Sequence, residues 1–218
     1  MNYTKATRIL RNGYKLVRDV NAKLAILAGV PKSIRVTTVK PSGSISLLAG
    51  CTAGVHYPVS RYAIRRIRVA INSPIVETLK NAGVPFETDT YSDNTLCFEF
   101  TIDHGDVRPA TDVSAFEQFS VVAMLQRVWS DNMVSATIYF DKEKEGPEIE
   151  RMLAMFTPVL KSVSLLPHSG HGYAQAPYEP ITKEEYLLRN TKIASLNFSN
   201  IVTVPTGSKY CSGDTCEL

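Results

Sequence analysis

The stretch Val36-Thr-Thr-Val-Lys-Pro-Ser-Gly-Ser-Ile-Ser-Leu-Leu-Ala49 joins a β-branched run, a serine-rich bend and an apolar run. Residues 36–39 predict a short strand, and residues 45–49 predict the start of a helix. Along the rest of the chain, segments with strand character likewise alternate with segments of helical spacing. This alternation favours an α/β fold, layered or barrel-shaped, with parallel strands.

Apolar periodicity and capping residues set the remaining predicted elements. Helices are expected over residues 4–28, 73–83 and 147–160, and after Ser114 and Thr182. Strands are expected over residues 64–71, 96–102, 133–140 and 162–166. Ser114 with Glu117 has the pattern of a capping box. After about residue 195 the sequence has the character of a tail.

The first predicted helix carries an apolar stripe that nothing earlier in the sequence could cover. The residues of this stripe recur at helical spacing: Leu10, Tyr14, Val17, Val20, Leu24 and Leu27. Four or five strands are also few for a barrel that must close on itself. We therefore expect the back portion of a larger structure, and a helix that starts almost at Met1 favours a separately translated piece.

The serine-rich bend Lys40-Pro-Ser-Gly-Ser-Ile-Ser46 has two interpretations. Gly43 would let the backbone approach a ligand, and the hydroxyls of Ser42, Ser44 and Ser46 with free amides at the helix start would bind a phosphate. The alternative is an ordinary strand-to-helix turn that a serine caps. The bend is not of the Walker type, because no Gly-Lys-[Ser/Thr] follows.

Composition excludes several classes of protein. The chain has 218 residues, of which 44% are hydrophobic and 21% charged, so a substantial core can form. A net charge of +3 gives no reason to expect nucleic-acid binding. No apolar run reaches membrane-spanning length. Four cysteines do not make a disulfide framework, so reduced thiols and a cytoplasmic location are expected.

The C-terminus carries Cys211 and Cys216 in the sequence Cys-Ser-Gly-Asp-Thr-Cys. Two thiols on a free end could be oxidised at a distant site and then swing out to be reduced, which is the chemistry of a dithiol shuttle. A zinc site would need further ligands, and the tail contains no histidine. The alternative is a frayed terminus with two incidental thiols.

Several motifs together resemble the second half of the ribonucleotide reductase barrel, most closely the adenosylcobalamin-dependent (class II) triphosphate reductases. They occur in the expected order along nearly the whole chain, and comprise residues 36–50, Gly54-Val-His-Tyr-Pro58, Arg61-Tyr-Ala-Ile-Arg-Arg-Ile-Arg68, Gly172-Tyr-Ala-Gln-Ala-Pro-Tyr-Glu179 and the terminal cysteine pair. The Pro-Ser-Gly-Ser form of the bend favours class II over class I.

The resemblance implies the second half of a ten-stranded α/β barrel over residues 1–195 and a flexible redox-active tail over residues 196–218. It implies radical reduction of ribonucleoside triphosphates to deoxyribonucleotides with adenosylcobalamin as cofactor. Cys211 and Cys216 would re-reduce the active site and be recycled by thioredoxin. The substrate phosphates would be held by Ser42, Gly43, Ser44, Ile45 and Ser46.

The chain departs from this family in one essential feature. The finger loop with its Asn-x-Cys-x-Glu radical cysteine is absent, and Cys51 and Cys97 both have the surroundings of packed thiols. The chain alone could not generate the radical, so a partner polypeptide with the N-terminal part would be required and would bind most of the cobalamin. The alternative function is an inactive orphan module that binds nucleotide phosphate or acts as a redox adaptor.

Other polar residues give weaker indications. His56 and Arg66 could contact cofactor or substrate, although a loop histidine and a salt-bridged arginine run are the commoner uses. Strand alternation would place Arg66 and Arg68 on one face and Arg65 on the other. His168 and His171 are too few for a metal site, so no metal is expected. The loop with Tyr173, Gln175 and Tyr178 is expected to line the mouth of the barrel.

Overall fold

The computed structural model describes residues 3–42, 45–168 and 173–199, which combine helices and strands in one mixed α/β fold. The helices are α1 (Tyr3–Ala28), α2 (Ile45–Leu48), α3 (Ile75–Asn81), α4 (Ala115–Val128), α5 (Ile149–Phe156) and α6 (Lys183–Asn190). The strands are β1 (Tyr62–Ala70), β2 (Phe86–Asp89), β3 (Ser92–Asp103), β4 (Thr137–Phe140), β5 (Ser164–Pro167) and β6 (Tyr178–Pro180). Short 3-10 turns lie at Ala110–Asp112 and Gly146–Glu148.

The strands form two sheets of opposite character. The larger has the order β2-β3-β1-β6, and all of its neighbours pair antiparallel. The smaller is the parallel pair β4-β5. The expectation of parallel strands is therefore wrong for the larger sheet. Apolar alternation indicates that a segment is a strand, but it does not indicate whether the neighbouring strand runs parallel or antiparallel. The short strands β2 and β6 have no apolar periodicity, so they were not predicted.

The predicted strand over residues 36–39 is an extended segment with a single parallel bridge between Val39 and Val134. The Thr37 hydroxyl donates to the carbonyl of Trp129 and accepts from the amide of Asp131. These bonds join the extended segment to residues distant in sequence, at the end of α4, through a side chain instead of a backbone ladder. The strand predicted over residues 133–140 is correspondingly shortened to β4.

Helix positions agree closely with the predicted ones. Ser114 caps α4 by accepting a hydrogen bond from the amide of Glu117, and Thr182 caps α6 in the same way. The capping box is only half formed, because the Glu117 carboxylate binds Arg108 instead of reaching back to the cap. The helix predicted over residues 147–160 is the shorter α5, which the 3-10 turn precedes.

Two hydrophobic clusters hold the sheets to their helices. One lies between α3 and the larger sheet, where Val76, Leu79 and Phe98 are buried. The other lies between α4, α5 and the parallel pair, and centres on Phe119 and Ile138. Phe119 stacks on Phe156 of α5 with ring centroids 5.3 Å apart. The segment that leads to the serine bend belongs to this second cluster through Val39.

Helix α1 packs along only one side. Gly13 lies against Trp129, where an added Cβ would be 3.3 Å from the indole ring. The Tyr14 hydroxyl donates to Asp131 at 2.7 Å, and Asp131 also accepts from the amide of Val36 at 2.9 Å. Burial raises the pKa of Asp131, but these hydrogen bonds outweigh burial and hold the pKa below its usual value.

The other side of α1 presents an exposed apolar stripe. Ile9, Leu16, Val20, Leu24 and Leu27 are each exposed, and Leu27 is 81% accessible. Helical spacing places these five residues within one sector of the helix. The exposed stripe differs in part from the predicted one: Val20, Leu24 and Leu27 are exposed as expected, whereas Leu10, Tyr14 and Val17 are half-buried.

Residues 200–218 lie outside the described part of the chain, together with the terminal cysteine pair, so the division at residue 195 stays a prediction. In the part that the structure describes, no helix combines the length and apolar character needed to cross a bilayer.

The second cluster predicts a contrast between two phenylalanines of α4 that both contact Phe156. Phe119 is fully buried and Phe116 is 47% exposed. Phe119→Ala should lower the free energy of unfolding by about 3–5 kcal/mol, because it leaves a cavity. Phe116→Ala should lower it by only about 1 kcal/mol. Urea titration of both variants measures the difference, and equal losses would contradict this packing.

Candidate functional site

The first serine of the bend, Ser42, is hydrogen-bonded to Ser46 in helix α2. The Ser42 hydroxyl accepts from the amide of Ser46 at 3.0 Å, and the Ser46 hydroxyl donates back to the carbonyl of Ser42. Ser42 therefore caps the four-residue helix α2, which is the ordinary structural use of serine at this position. Gly43 and Ser44 lie outside the described residues, and Ile45 is 73% exposed. Phosphate binding by residues 42–46 stays a prediction.

The chain after α2 folds back onto the start of this bend. Gly54 has a φ of +61°, and a Cβ there would lie 2.9 Å from the carbonyl oxygen of Lys40. Only glycine combines this left-handed conformation with such a close approach. The return places His56 and Tyr57 beside Pro41, where the three residues share the wall of a cavity.

Both ring nitrogens of His56 are used within the fold. Nε2 accepts a hydrogen bond from the amide of Thr137 at 3.2 Å, so the proton is on Nδ1, which lies 2.9 Å from the carbonyl oxygen of Ala53. His56 thus joins the return segment to β4. A contact of His56 with cofactor or substrate stays a prediction, and in this geometry the ring could offer a ligand only its carbon face.

The cavity beside Pro41 has a volume of about 300 Å³. Aromatic residues make up much of its wall, and no aspartate or glutamate is among the described residues that line it. Those residues are Pro41, Thr52, Ala53, His56, Tyr57, Pro58, Val59, Arg65, His104, Tyr139 and Tyr178. Burial raises the pKa of Tyr139, so this phenol stays protonated.

Two buried polar atoms among these residues have no hydrogen-bond partner: Nε of Arg65 and Nε2 of His104. The Arg65 guanidinium lies over the ring of Tyr178, 4.5 Å from its centroid. The His104 ring is 6.0 Å from the same tyrosine. Burial lowers the pKa of His104, and the neighbouring Asp103 only partly opposes the shift. The imidazole is therefore neutral near pH 7.

The neighbouring arginines of β1 have carboxylate partners. Arg66 binds Glu99 at 2.8 Å and Glu179 at 2.6 Å, and its side chain is 10% exposed. Arg68 binds Asp89 at 2.6 Å. Arg66 therefore has the structural role that salt-bridged arginines commonly have. Its contact with cofactor or substrate stays a prediction. The cationic residue beside the cavity is Arg65.

The loop after residue 172 closes over a second, larger cavity of about 610 Å³. Gln175 holds this loop to the β2–β3 turn: its amide nitrogen donates to Glu87 at 2.7 Å and to the carbonyl of Thr88, and its oxygen accepts from the amide of Thr90. Tyr173, Gln175 and Tyr178 all line the second cavity. Their predicted place at the mouth of a barrel is not tested by this part of the fold.

The two cysteines within the described residues differ. Cys97 is fully buried on β3, and burial raises the pKa of its thiol. Cys51 is exposed, with its thiol 3.5 Å from the carbonyl oxygen of Ala49. The expectation that both are packed thiols is wrong for Cys51, because α2 ends at Leu48, three residues before it, and the following turn leaves the side chain exposed. Cys211 and Cys216 lie outside the described residues.

Histidines do not form a metal centre in the part of the chain that the structure describes. Across residues 3–42, 45–168 and 173–199, no three histidine, cysteine or acidic residues cluster in a way that could hold a metal ion. His168 stacks on Tyr139 with ring centroids 6.1 Å apart. His171 lies outside the described residues.

Sequence reasoning missed His104 and Tyr139. It considered Arg65 only as one member of an arginine run, with Arg61, Arg66 and Arg68, that could neutralise a triphosphate or the cobalamin side chains. Arg65 could have been identified, because strand alternation separates it from Arg66 and Arg68. His104 follows the end of β3, and its approach to Tyr178 depends on the pairing of β1 with both β3 and β6. No local pattern in the sequence predicts that β1 pairs with both β3 and β6.

Comparison with known proteins gives a consistent set of relatives. No family model matches the chain. It is 38% identical over 214 residues to a probable adenosylcobalamin-dependent ribonucleoside-triphosphate reductase of Dictyostelium discoideum, and 41% identical over 216 residues to that of Euglena gracilis. Each match covers 95% of this chain. A crystal structure of a B12-dependent (class II) ribonucleotide reductase superposes with a TM-score of 0.73 at 39% identity and covers 88% of the chain.

The relatives are much longer than this chain. The chain spans 28% of the Dictyostelium protein, 30% of the Euglena protein and 27% of the crystallised reductase. The resemblance seen in the sequence motifs is confirmed, and it concerns a segment of those enzymes.

The two described thiols predict a large difference in reactivity. In a Cys211→Ser/Cys216→Ser background, Cys51 should react with a thiol reagent in the folded protein. Cys97 should react only on unfolding, at a rate lower by about 100-fold or more. Absorbance of the released chromophore measures both phases. Adding Cys51→Ser should remove the fast phase, and its persistence would contradict the burial of Cys97.

Proposed function

We propose that this chain, whose sequence and fold match a segment of the adenosylcobalamin-dependent (class II) ribonucleotide reductases, works as the C-terminal portion of such an enzyme. The assembled enzyme would reduce ribonucleoside triphosphates to deoxyribonucleotides. This chain would supply the substrate-phosphate bend at residues 42–46 and the dithiol of Cys211 and Cys216. The observation that carries the proposal is the 38–41% identity across 95% of the chain to reductases of that activity.

The chain would need the rest of the reductase for catalysis. The sequence contains no Asn-x-Cys-x-Glu motif, and its relatives are more than three times as long. The parallel pair β4-β5, with the segment that Val39 bridges to Val134, would form part of the ten-stranded barrel once the remaining strands are added. Supporting this, the apolar stripe of α1, defined by Ile9, Leu16, Val20, Leu24 and Leu27, is a surface that another part of the enzyme would cover.

The cofactor would lie mainly on the remaining part of the reductase. A corrinoid is a broad macrocycle, and the cavities beside Pro41 and Gln175 have volumes of only about 300 and 610 Å³. When bound, adenosylcobalamin would supply the radical that starts the reaction. The residues of this chain would bind and orient the nucleotide and return electrons to the active site.

Reconstitution tests this function. The purified chain, mixed with the N-terminal part of a class II reductase and adenosylcobalamin, should form deoxyribonucleotides from ribonucleoside triphosphates, whereas neither part alone should. Leu16→Glu and Leu27→Glu should each reduce assembly by at least about 10-fold, because they place a charge in an apolar interface. Analytical ultracentrifugation and product analysis measure both effects.

A matched control uses the polar side of the same helix. Lys15→Glu also adds an acidic residue to α1 at an exposed position and should assemble normally. Circular dichroism should show that all three variants remain folded. Nucleotide binding by the mixture without any deoxyribonucleotide product would instead favour an orphan phosphate-binding module.

The proposed role of the tail gives a separate prediction. In the assembled enzyme, replacing Cys211 and Cys216 by serine should abolish turnover with thioredoxin as reductant. Turnover with a small dithiol, which can enter the site directly, should be largely retained. Product formation under the two reductants measures the difference, and equal loss with both would rule out a shuttle.

A further inference from the structure

Within residues 3–42, 45–168 and 173–199, one cationic side chain of β1 has no anionic partner. Arg61 binds Asp103, Arg66 binds Glu99 and Glu179, and Arg68 binds Asp89. Arg65 is half-buried over Tyr178, and its buried Nε has no acceptor within the described part of the chain. A buried N–H donor without a partner is costly, because burial removes water and nothing replaces it.

His104 adds a second unsatisfied group to the same wall. Its buried Nε2 has no partner among the residues that the structure describes, and both His104 and Arg65 line the cavity beside Pro41. The described lining contains no carboxylate that could neutralise Arg65, whereas Tyr57, Tyr139 and Tyr178 offer phenolic hydroxyls. One cation, an imidazole and protonated phenols around a space of about 300 Å³ are complementary to an oxyanion.

The position of the cavity indicates where that oxyanion would come from. Pro41 precedes the serine bend and Thr52 and Ala53 follow α2, and all three line the cavity. A ligand held at residues 42–46 would therefore sit beside the opening that leads to Arg65. A carboxylate from another protein segment could also pair with Arg65. Such a pair would not explain why the cavity lies next to the serine bend.

We propose that the cavity beside Pro41 is a second phosphate subsite, in which Arg65 and His104 bind one phosphate group of the nucleotide whose other phosphates are held at residues 42–46. The proposal rests on the proposed function of that bend. Arg65 supplies the charge, and its planar guanidinium, oriented by Tyr178, donates N–H groups to the phosphate oxygens. His104 donates or accepts at Nε2 according to the protonation state of that phosphate.

Calorimetry with inorganic pyrophosphate and tripolyphosphate on the full chain tests the subsite. Arg65→Gln should weaken binding of tripolyphosphate by about 10-fold or more, the loss expected for a hydrogen bond to a charged group. Arg65→Lys should restore part of the affinity through charge alone. Arg61→Gln is the matched control, since Arg61 is exposed, pairs with Asp103 and does not line the cavity, and it should change affinity less than about 2-fold.

A second measurement uses the unmodified chain. The ring-proton NMR signal of His104 should titrate at higher pH when tripolyphosphate is bound, because a nearby anion favours the imidazolium. The charged and titratable groups around His104 are Asp103, Arg65, Tyr178 and Tyr139. An unchanged titration would overturn the proposal even if Arg65→Gln failed to fold.

Other outcomes separate this inference from the proposed function. If Ser42→Ala abolished tripolyphosphate binding and Arg65→Gln did not alter it, the subsite would be wrong and the serine bend would stand. If Arg65→Gln left phosphate binding intact but blocked assembly with the N-terminal part, a carboxylate of that part would be the partner of Arg65 and the proposal would fall. If reconstitution failed but phosphate binding still depended on Arg65, only the proposed function would be contradicted.

Discussion

The carboxylate of Glu99 is the constraint on which the larger sheet depends. It accepts hydrogen bonds from Arg66 of β1 at 2.8 Å and from Arg189 of α6 at 2.9 Å, while Arg66 also binds Glu179 of β6. One partly buried network therefore fixes β1, β3, β6 and α6 relative to one another. Removing a partner from such a network typically costs about 3–5 kcal/mol, because it leaves a charge without compensation. The same network sets the register that brings Tyr178 over Arg65.

Local features of the fold were predictable from the sequence, and features set by distant pairing were not. The caps Ser114 and Thr182 and the apolar spacing of α1 act within a few residues, so their signals are local. The antiparallel order of the larger sheet depends on pairs such as Ile64 with Glu179, which no local pattern encodes. The same holds for the site: motif resemblance predicts a phosphate site at the serine bend, which stays a prediction, whereas the Arg65–His104 wall exists only after β1, β3 and β6 meet.

The distribution of arginines on β1 follows from strand geometry. Alternation sends Arg66 and Arg68 toward acidic residues of neighbouring elements, and it sends Arg65 toward Tyr178 and the cavity. Arg65 and Arg66 are adjacent in the strand, yet Arg66 is paired with carboxylates and Arg65 is not, within the described residues. Aromatic contact keeps the Arg65 guanidinium in place without neutralising it, which is the arrangement that a preorganised anion site requires.

The exposed side of α1 links assembly to the site. Burying Leu16, Leu24 and Leu27 would contribute stabilisation on the order of 5 kcal/mol, comparable with the whole stability of a small domain. Helix α1 is tied through Tyr14 to Asp131, and Asp131 also holds the amide of Val36, six residues before Ser42. Covering α1 would therefore stabilise the segment that carries the serine bend. Because a partner that binds only the folded form raises stability by mass action, covering α1 would stabilise residues 36–42 together with the helix.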